Sequence, residues 1–186
     1  MRETILRDKF GDLFEFLVED IGVKEPELLN FKYQNEVIDL LYNHIKKRSK
    51  VCLLADVDLD GLGSADVVYE FLSSLGLSGC IKPIINKDRV HGISEKHIDY
   101  INNKLKPDLF IIVDSSSSDL DIIKQFNCDV VVFDHHQIDY DRVGLENKGS
   151  DILNKGSTSN GLYYIVSNIL SDLSPDMSGC QVCYEF

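Results

Sequence analysis

The sequence predicts an α/β domain, with a mostly parallel sheet of four to five strands, helices on both faces of the sheet, and an N-terminal helical segment in front. From residue 51 onward, short apolar runs alternate with segments whose apolar residues recur at helical spacing. These segments are long enough to be crossover helices, which parallel strands require. The chain has 186 residues, 44% of them hydrophobic, which suits a single globular core.

The first fifty residues are predicted to be helical. Apolar residues recur at helical spacing between Ile5 and Ile21 and again between Val37 and Ile45, before the basic run KKRSK. A solvated helix end explains this run better than a DNA-binding patch does. We therefore expect residues 1–48 to form a helical segment that packs on a domain spanning residues 49–186.

Four apolar runs are predicted to be strands. They are VCLLA (51–55), CIKPII (80–85), LFIIV (109–113) and DVVVF (129–133). Between the first two, a helix closed by Gly76 is expected to present one apolar face. That face would consist of Leu62, Ala65, Val68, Phe71, Leu72 and Leu75.

The later connections also predict helices. Ser94 can cap a helix that runs to about Leu105, and residues 119–126 form the next. After the fourth strand we expect a polar loop over residues 137–159 and a last helix that starts near Gly161.

Acidic residues follow three of the four predicted strands. Three aspartates follow the first strand, one follows the third, and an aspartate with two histidines follows the fourth. These residues are Asp56, Asp58, Asp60, Asp114, Asp134, His135 and His136. Because the carboxyl ends of parallel strands lie along one edge of a sheet, these side chains are expected to converge there.

Five converging carboxylates are stable only if cations neutralise them or some of them take up protons. Two metal ions about 3.5–4 Å apart, sharing a carboxylate, would remove the repulsion and activate a water for attack on a phosphoester. Carboxylate and imidazole ligands suit Mn²⁺, with Mg²⁺ or Zn²⁺ as less favoured choices. The sequence therefore predicts a dinuclear site for phosphoester hydrolysis.

Each motif taken alone has another interpretation. Any single aspartate after a strand can be a helix cap. A calcium-binding EF-hand loop would need a glutamate at its twelfth position, where Val67 stands. Cys180 and Cys183 form a lone CxxC, which is a weak metal signal. The net charge of −12 argues against a broad phosphate-binding surface.

The ordered motifs resemble those of the DHH phosphoesterase superfamily, and within it the RecJ branch of single-stranded-DNA exonucleases. DVDLDG (56–61) resembles the first family motif, IIVDSSSSD around Asp114 the second, and FDHH (133–136) the third. DRVHGIS (88–94) resembles a RecJ segment in which an arginine precedes a glycine-containing turn, with HG in place of GYG. NKGSTSNG (154–161) resembles the small-residue loop before the next family helix.

The resemblance implies a metal-binding role for five residues. Asp56 and Asp58 would bind one ion, Asp60 and His135 the other, and Asp114 would bridge the two. The implied cofactor is a pair of Mn²⁺ ions, with Mg²⁺ as the other possibility.

The resemblance also implies roles toward the substrate. Asp134 would orient its neighbours or bind metal, and His136 would face the phosphate as an electrophile or as the acid for the leaving oxygen. Arg89 could clamp a phosphate, its alternative being a surface salt bridge. Ser115 and Ser157 are expected to contact substrate, although a simple polar turn explains Ser115 equally well.

The implied activity is that of a 5′-to-3′ exonuclease on single-stranded DNA. The DRVHG segment and the DxDxDG motif favour this activity, because a histidine is common in the first motif of the oligoribonucleotide and pyrophosphate branches. Cleavage of oligoribonucleotides or cyclic dinucleotides stays as the alternative. A noncatalytic nucleic-acid-binding or replication-associated module is an alternative of another class. Family members also carry a later metal-binding aspartate and a C-terminal substrate-binding domain, so we expect the chain to be an N-terminal part of such an enzyme.

Single-stranded nucleic acid is thus the expected partner, and a membrane is not. The longest apolar runs are far shorter than the ~20 residues of a membrane helix. Charges in the first residues, MRETILRDKFGD, do not suit a signal peptide. We expect a cytoplasmic protein.

Overall fold

The computed structural model describes residues 29–85, 91–144 and 153–186. Its strands, in chain order, are β1 (Val51–Ala55), β2 (Ile81–Ile85), β3 (Leu109–Val113), β4 (Asp129–Asp134), β5 (Lys155–Ser157) and β6 (Leu162–Ser167). They form one sheet in the order β2-β1-β3-β4-β6-β5, and every neighbouring pair is parallel except β5 with β6. The predicted α/β class is confirmed.

The described helices lie mostly where helical spacing predicts them. They are α1 (Gln34–Lys47), α2 (Leu59–Leu72), α3 (Glu95–Asp99), α4 (Leu120–Ile123), α5 (Tyr140–Val143) and α6 (Gly179–Glu185). A π-helical turn follows α2 and contains Gly76 at φ 92°, a left-handed conformation that suits glycine. Ser94 begins α3 as predicted, and its backbone N–H donates to His97 Nδ1 at 3.0 Å.

Helices cover both faces of the sheet, because successive side chains of a strand point to opposite faces. Val51 and Leu53 of β1 belong to a core cluster that includes residues of α1, α2 and α6. Cys52 and Leu54 belong to a second cluster, formed with α4 and the residues around Ile101. The central strands β1 and β3 are buried along their whole length.

The expected helix near Gly161 is wrong, because the segment that follows it is strand β6. The run LYYIVS is rich in β-branched and aromatic residues, and all but its first residue are buried. A short apolar run of this kind cannot be assigned from periodicity alone, and here its pairing with β4 decides. The next helix along the chain is α6, which begins at Gly179.

The buried face of α2 also differs from the predicted one. Its buried residues are Gly61, Ser64, Val68 and Leu72, whereas Leu62 and Phe71 are 42% and 56% exposed. This face is small because α2 packs closely on its neighbours: a Cβ at Gly61 would lie 2.7 Å from Asp56 Cβ. Apolar periodicity indicates Val68 and Leu72 of this face, but it cannot detect glycine and serine as contact residues.

The N-terminal prediction is tested only in part. Residues 1–28 lie outside the described residues, whereas α1 confirms the second predicted helix. Val37 and Leu41 of α1 are buried in the core cluster on the same face as α2. In the part of the chain that the structure describes, no helix combines the length and the apolar character needed to cross a membrane.

Candidate metal centre

The aspartates converge at the carboxyl ends of the strands, near the point where the order of the strands reverses. The chain passes from β1 to β2 on one side of β1 and then to β3 on the other side. This reversal opens a crevice between the ends of β1 and β3. Ala55, the last residue of β1, pairs with Val113, the last residue of β3. Asp56 and Asp114 therefore lie side by side at this edge, and Asp134 at the end of β4 continues the row.

Asp114 is the central carboxylate of the row. Its backbone is left-handed at φ 60°, and its N–H donates to the Phe133 carbonyl at 2.7 Å. The side chain is buried, and no donor among the described residues makes a hydrogen bond to Oδ1. Burial and the charges of Asp60, Asp58 and Asp134 raise the pKa of Asp114 to about 7. A buried carboxylate oxygen without a donor is the environment that a bound cation would satisfy.

Two groups of potential metal ligands share Asp114. One consists of Asp56, Asp58 and Asp114, and the other of Asp114, His135 and His136. Within each group one ligand atom per residue lies within 4.8 Å of the others. These carboxylate and imidazole donors suit divalent cations.

The carboxylates of the first group are held by hydrogen bonds. Asp56 is buried; its Oδ1 accepts from the Val57 N–H at 2.8 Å, and its Oδ2 lies 2.6 Å from His91 Nδ1. Asp58 Oδ1 accepts from the Gly61 N–H at 2.9 Å and so caps α2. The helix-cap interpretation is therefore confirmed for Asp58, whose second oxygen is not used by the cap.

His135 and Asp60 lie on the other side of Asp114. His135 Nε2 is 3.3 Å from Asp114 Oδ1 and 3.7 Å from Asp60 Oδ2. The two oxygens of Asp60 accept from the N–H groups of Gly179 and Cys180, both at 2.8 Å. Asp60 therefore anchors the first turn of α6 and lies outside both ligand groups, and its role as a metal ligand stays a prediction.

Asp134 serves as an acceptor for its neighbours. Its Oδ2 accepts from the Ser117 N–H at 2.9 Å, and its Oδ1 lies 2.7 Å from His136 Nδ1. The hydrogen bond to Asp134 raises the pKa of His136 to about 9, although burial opposes this. Burial would raise the pKa of Asp134, but the hydrogen bond and charge of His136 together with the hydrogen bonds from Ser117 outweigh burial and hold that pKa below its usual value. In the metal-free protein His136 is therefore protonated at neutral pH.

Of the two predicted substrate contacts that the structure describes, Ser115 lies at this edge and Ser157 does not. Arg89 lies outside the described residues. Ser115 is buried beside Asp114, and its hydroxyl donates to the Val113 carbonyl at 3.4 Å. Ser157 pairs with Leu162, the first residue of β6, and so lies at the opposite edge of the sheet. The assignments of these serines to substrate binding stay predictions.

Two residues at the site were missed by the sequence reasoning. His91 contacts Asp56, and its signal was its position in the HG of a segment that resembles the family. Gly179 packs against Asp114 so closely that a Cβ there would lie 2.7 Å from Asp114 Cγ and closer still to Oδ1. The sequence signal for Gly179 was the serine before it, which is a typical helix cap: Ser178 caps α6 by accepting a hydrogen bond from the Gln181 N–H.

Residues 50–186 match the model of the DHH family, N-terminal domain. The chain belongs to the DHH family. Among solved structures, this DHH domain is similar to exonuclease RecJ bound to manganese, with a TM-score of 0.64 and 21% identity over 87% of this chain and 38% of that one. It is also similar to Thermus thermophilus RecJ in complex with Mn²⁺, with a TM-score of 0.57 and 23% identity over 86% of this chain and 20% of that one. The DHH domain thus has a RecJ-like fold.

Curated relatives of the DHH domain include a protein of Bacillus subtilis (strain 168) named as the SPbeta prophage-derived single-strand DNA-specific exonuclease YorK. It is 26% identical over 136 residues, which are 65% of this chain and 23% of the relative. The corresponding protein of Bacillus phage SPbeta matches to the same extent. The chain therefore spans less than a quarter of the length of these relatives.

Proposed function

We propose that this DHH domain is the catalytic part of a metal-dependent phosphodiesterase that degrades single-stranded DNA from its 5′ end. The observation that carries the proposal is the pair of ligand groups that share the buried Asp114. Two similarities support it: relatives are named as single-strand DNA-specific exonucleases, and structures with a similar fold belong to RecJ proteins with manganese.

In this proposal Asp56 and Asp58 bind one ion, His135 binds the other with help from Asp60, and Asp114 is shared. Manganese suits this mixture of carboxylates and imidazole, and magnesium is the second choice. When bound, the ions would supply a nucleophilic water and neutralise charge on the phosphate. The side chains hold these positions through the hydrogen bonds that fix Asp56 and Asp58.

The proposed proton donor is His136. Hydrolysis forms a bond from a water oxygen to phosphorus and breaks the bond from phosphorus to the leaving oxygen, which must gain a proton. Asp134 holds Nδ1 of His136 at 2.7 Å, so the opposite ring nitrogen, when protonated, can carry the donated proton. Asp134 would thus orient the acid and would not bind metal.

We also propose that residues 49–186 are the catalytic unit, that residues 1–48 pack on it, and that a further substrate-binding domain acts with it in the complete enzyme. The strand of DNA would then be held mainly outside the described residues. Arg89, Ser115 and Ser157 are proposed contacts within this chain.

The test is a nuclease assay on single-stranded DNA with Mn²⁺. Two substrates would be compared, one blocked at the 5′ end and one at the 3′ end, and released mononucleotides would be measured. The wild-type chain would be assayed beside Asp114→Asn, which removes the shared charge, and Asp176→Asn, a matched change at an exposed aspartate. We expect mononucleotides to be released only from the substrate with a free 5′ end. Asp176→Asn should retain this activity, and Asp114→Asn should abolish it.

The other outcomes are equally informative. Equal release by Asp114→Asn and the wild type would contradict the proposed site. Cleavage confined to dinucleotides would indicate the oligoribonucleotide or cyclic-dinucleotide activity instead. Tight DNA binding without Mn²⁺ and without cleavage would indicate the noncatalytic module.

A further inference from the structure

His91 lies over the first group of metal ligands and is not among them. It stands between β2 and α3, at the edge of the sheet where the aspartates converge. Its Nδ1 is 2.6 Å from Asp56 Oδ2, and its side chain is 71% exposed whereas that of Asp56 is 1% exposed. A carboxylate can only accept, so Nδ1 carries the hydrogen of this bond.

The turn that carries His91 is held by the loop after β3. The Ile93 N–H donates to Ser116 Oγ at 2.9 Å, and the Ile93 side chain is buried. Gly92 is left-handed at φ 76°, and a Cβ there would lie 2.7 Å from Ser116 Oγ and 3.0 Å from Asp119 Oδ2. His91 is therefore placed by packing against the loop that begins with Asp114, even though its ring is exposed.

This placement gives Asp56 a donor on each oxygen. The Val57 N–H, a backbone group, meets Oδ1 at 2.8 Å, and His91 meets Oδ2. Two donors on opposite oxygens fix both the rotation of the carboxylate and the direction of its remaining lone pairs. Only the donor from His91 can be removed by mutation.

We propose that His91 is a positioning residue for the metal centre, which holds the Asp56 carboxylate in the orientation that binds a divalent cation. The inference rests on the proposed function, since it assumes that Asp56 is a ligand. Neither ligand group of the described residues contains His91, which favours an indirect role. Outer hydrogen-bond partners of this kind orient metal ligands, and their loss weakens metal binding.

The test is a calorimetric titration of the metal-free chain with Mn²⁺, comparing the wild type with His91→Ala and His91→Asn. The asparagine amide places an N–H close to the position of Nδ1 and lacks a second ring nitrogen. We expect His91→Ala to weaken Mn²⁺ binding about 10–100-fold and His91→Asn to restore it to within about threefold of the wild type. Urea unfolding should show that both metal-free variants remain folded under the titration conditions, although His91→Ala leaves the buried Asp56 Oδ2 without its donor.

Three results would overturn this inference. If the wild type binds Mn²⁺ and His91→Ala binds it equally well, His91 does not position the site, and the proposed function is unaffected. If His91→Asn is as weak as His91→Ala, the ring is itself a ligand. If the wild type binds no Mn²⁺, the proposed function fails and this inference fails with it.

Discussion

Replacing Gly179 with alanine is expected to push the central carboxylate of the site out of place. The new Cβ would lie 2.7 Å from Asp114 Cγ and 2.9 Å from Asp114 Cβ. Nonbonded carbon atoms rest near ~3.5–4.0 Å, so the helix start and the carboxylate must separate by roughly 1 Å. Asp114 is buried on a left-handed backbone, and α6 is tied to Asp60 by two hydrogen bonds, so neither side can move freely.

The expected cost follows from this crowding. Inserting a methyl group into a well-packed site costs about 1–3 kcal/mol of unfolding free energy. Displacement of the shared ligand is expected to weaken Mn²⁺ binding by at least about tenfold, the lower end of the effect of losing a residue that orients metal ligands. The backbone of Gly179 does not require glycine, so the whole effect would come from the contact with Asp114.

The assay is urea unfolding together with a calorimetric Mn²⁺ titration, with Gly63→Ala as the matched control. Gly63 lies within α2, and a Cβ there would first meet Cys180 Sγ at 3.4 Å, an ordinary contact. Alanine is favoured over glycine inside a helix by ~1 kcal/mol, so the control should be neutral or stabilising. The reasoning is refuted if Gly179→Ala matches Gly63→Ala in both stability and Mn²⁺ affinity.

Three further predictions concern pH and stability. Mn²⁺ must displace the proton of Asp114, whose pKa is about 7, so the Mn²⁺ affinity measured by calorimetry should rise from pH 6 to pH 8. An affinity that does not change over this pH range would contradict the prediction. The contact that raises the pKa of His136 to about 9 should stabilise the metal-free chain fully below about pH 6.5. This stabilisation should be lost as the pH rises through 9. Urea unfolding at several pH values should show this loss in the wild type, and His136→Asn should lack it; an equal loss in both would count against the contact with Asp134. His44 Nε2 lies 2.9 Å from Asp129 Oδ2 at the opposite edge of the sheet. His44→Ala should therefore lower the unfolding free energy by about 1–3 kcal/mol and leave the Mn²⁺ affinity unchanged. A large change in Mn²⁺ affinity would show that the two edges are coupled.

Much of the fold could be predicted because its strands are marked locally. The bounds of β1 and β3 agree with the predicted runs, since these central strands are buried on both faces and therefore apolar throughout. The side of the sheet beyond β4 was harder: β6 is also an apolar run, and only its pairing with β4 distinguishes it from a short helix. The contact face of α2 could be predicted only in part: helical spacing indicates Val68 and Leu72 but not Gly61 and Ser64, which carry no large apolar side chain.

The candidate site divides in the same way. Asp56, Asp114 and Asp134 could be expected to converge, because an aspartate directly after a parallel strand must lie at its carboxyl end. The partners of these carboxylates come from elsewhere in the chain. Asp56 and His91 are separated by 35 positions, and Asp60 and Gly179 by 119. No local pattern relates residues so far apart.

The sequence by itself determined the class of fold and the edge at which the acidic residues meet. Those properties depend on periodicity and on residue type, which are written along the chain. The tertiary structure decided which carboxylate is central, which is used to hold a helix, and which histidine is tied to which aspartate. Asp60 illustrates the difference: its motif places it with the metal ligands, and the packing of α6 gives both of its oxygens to backbone N–H groups.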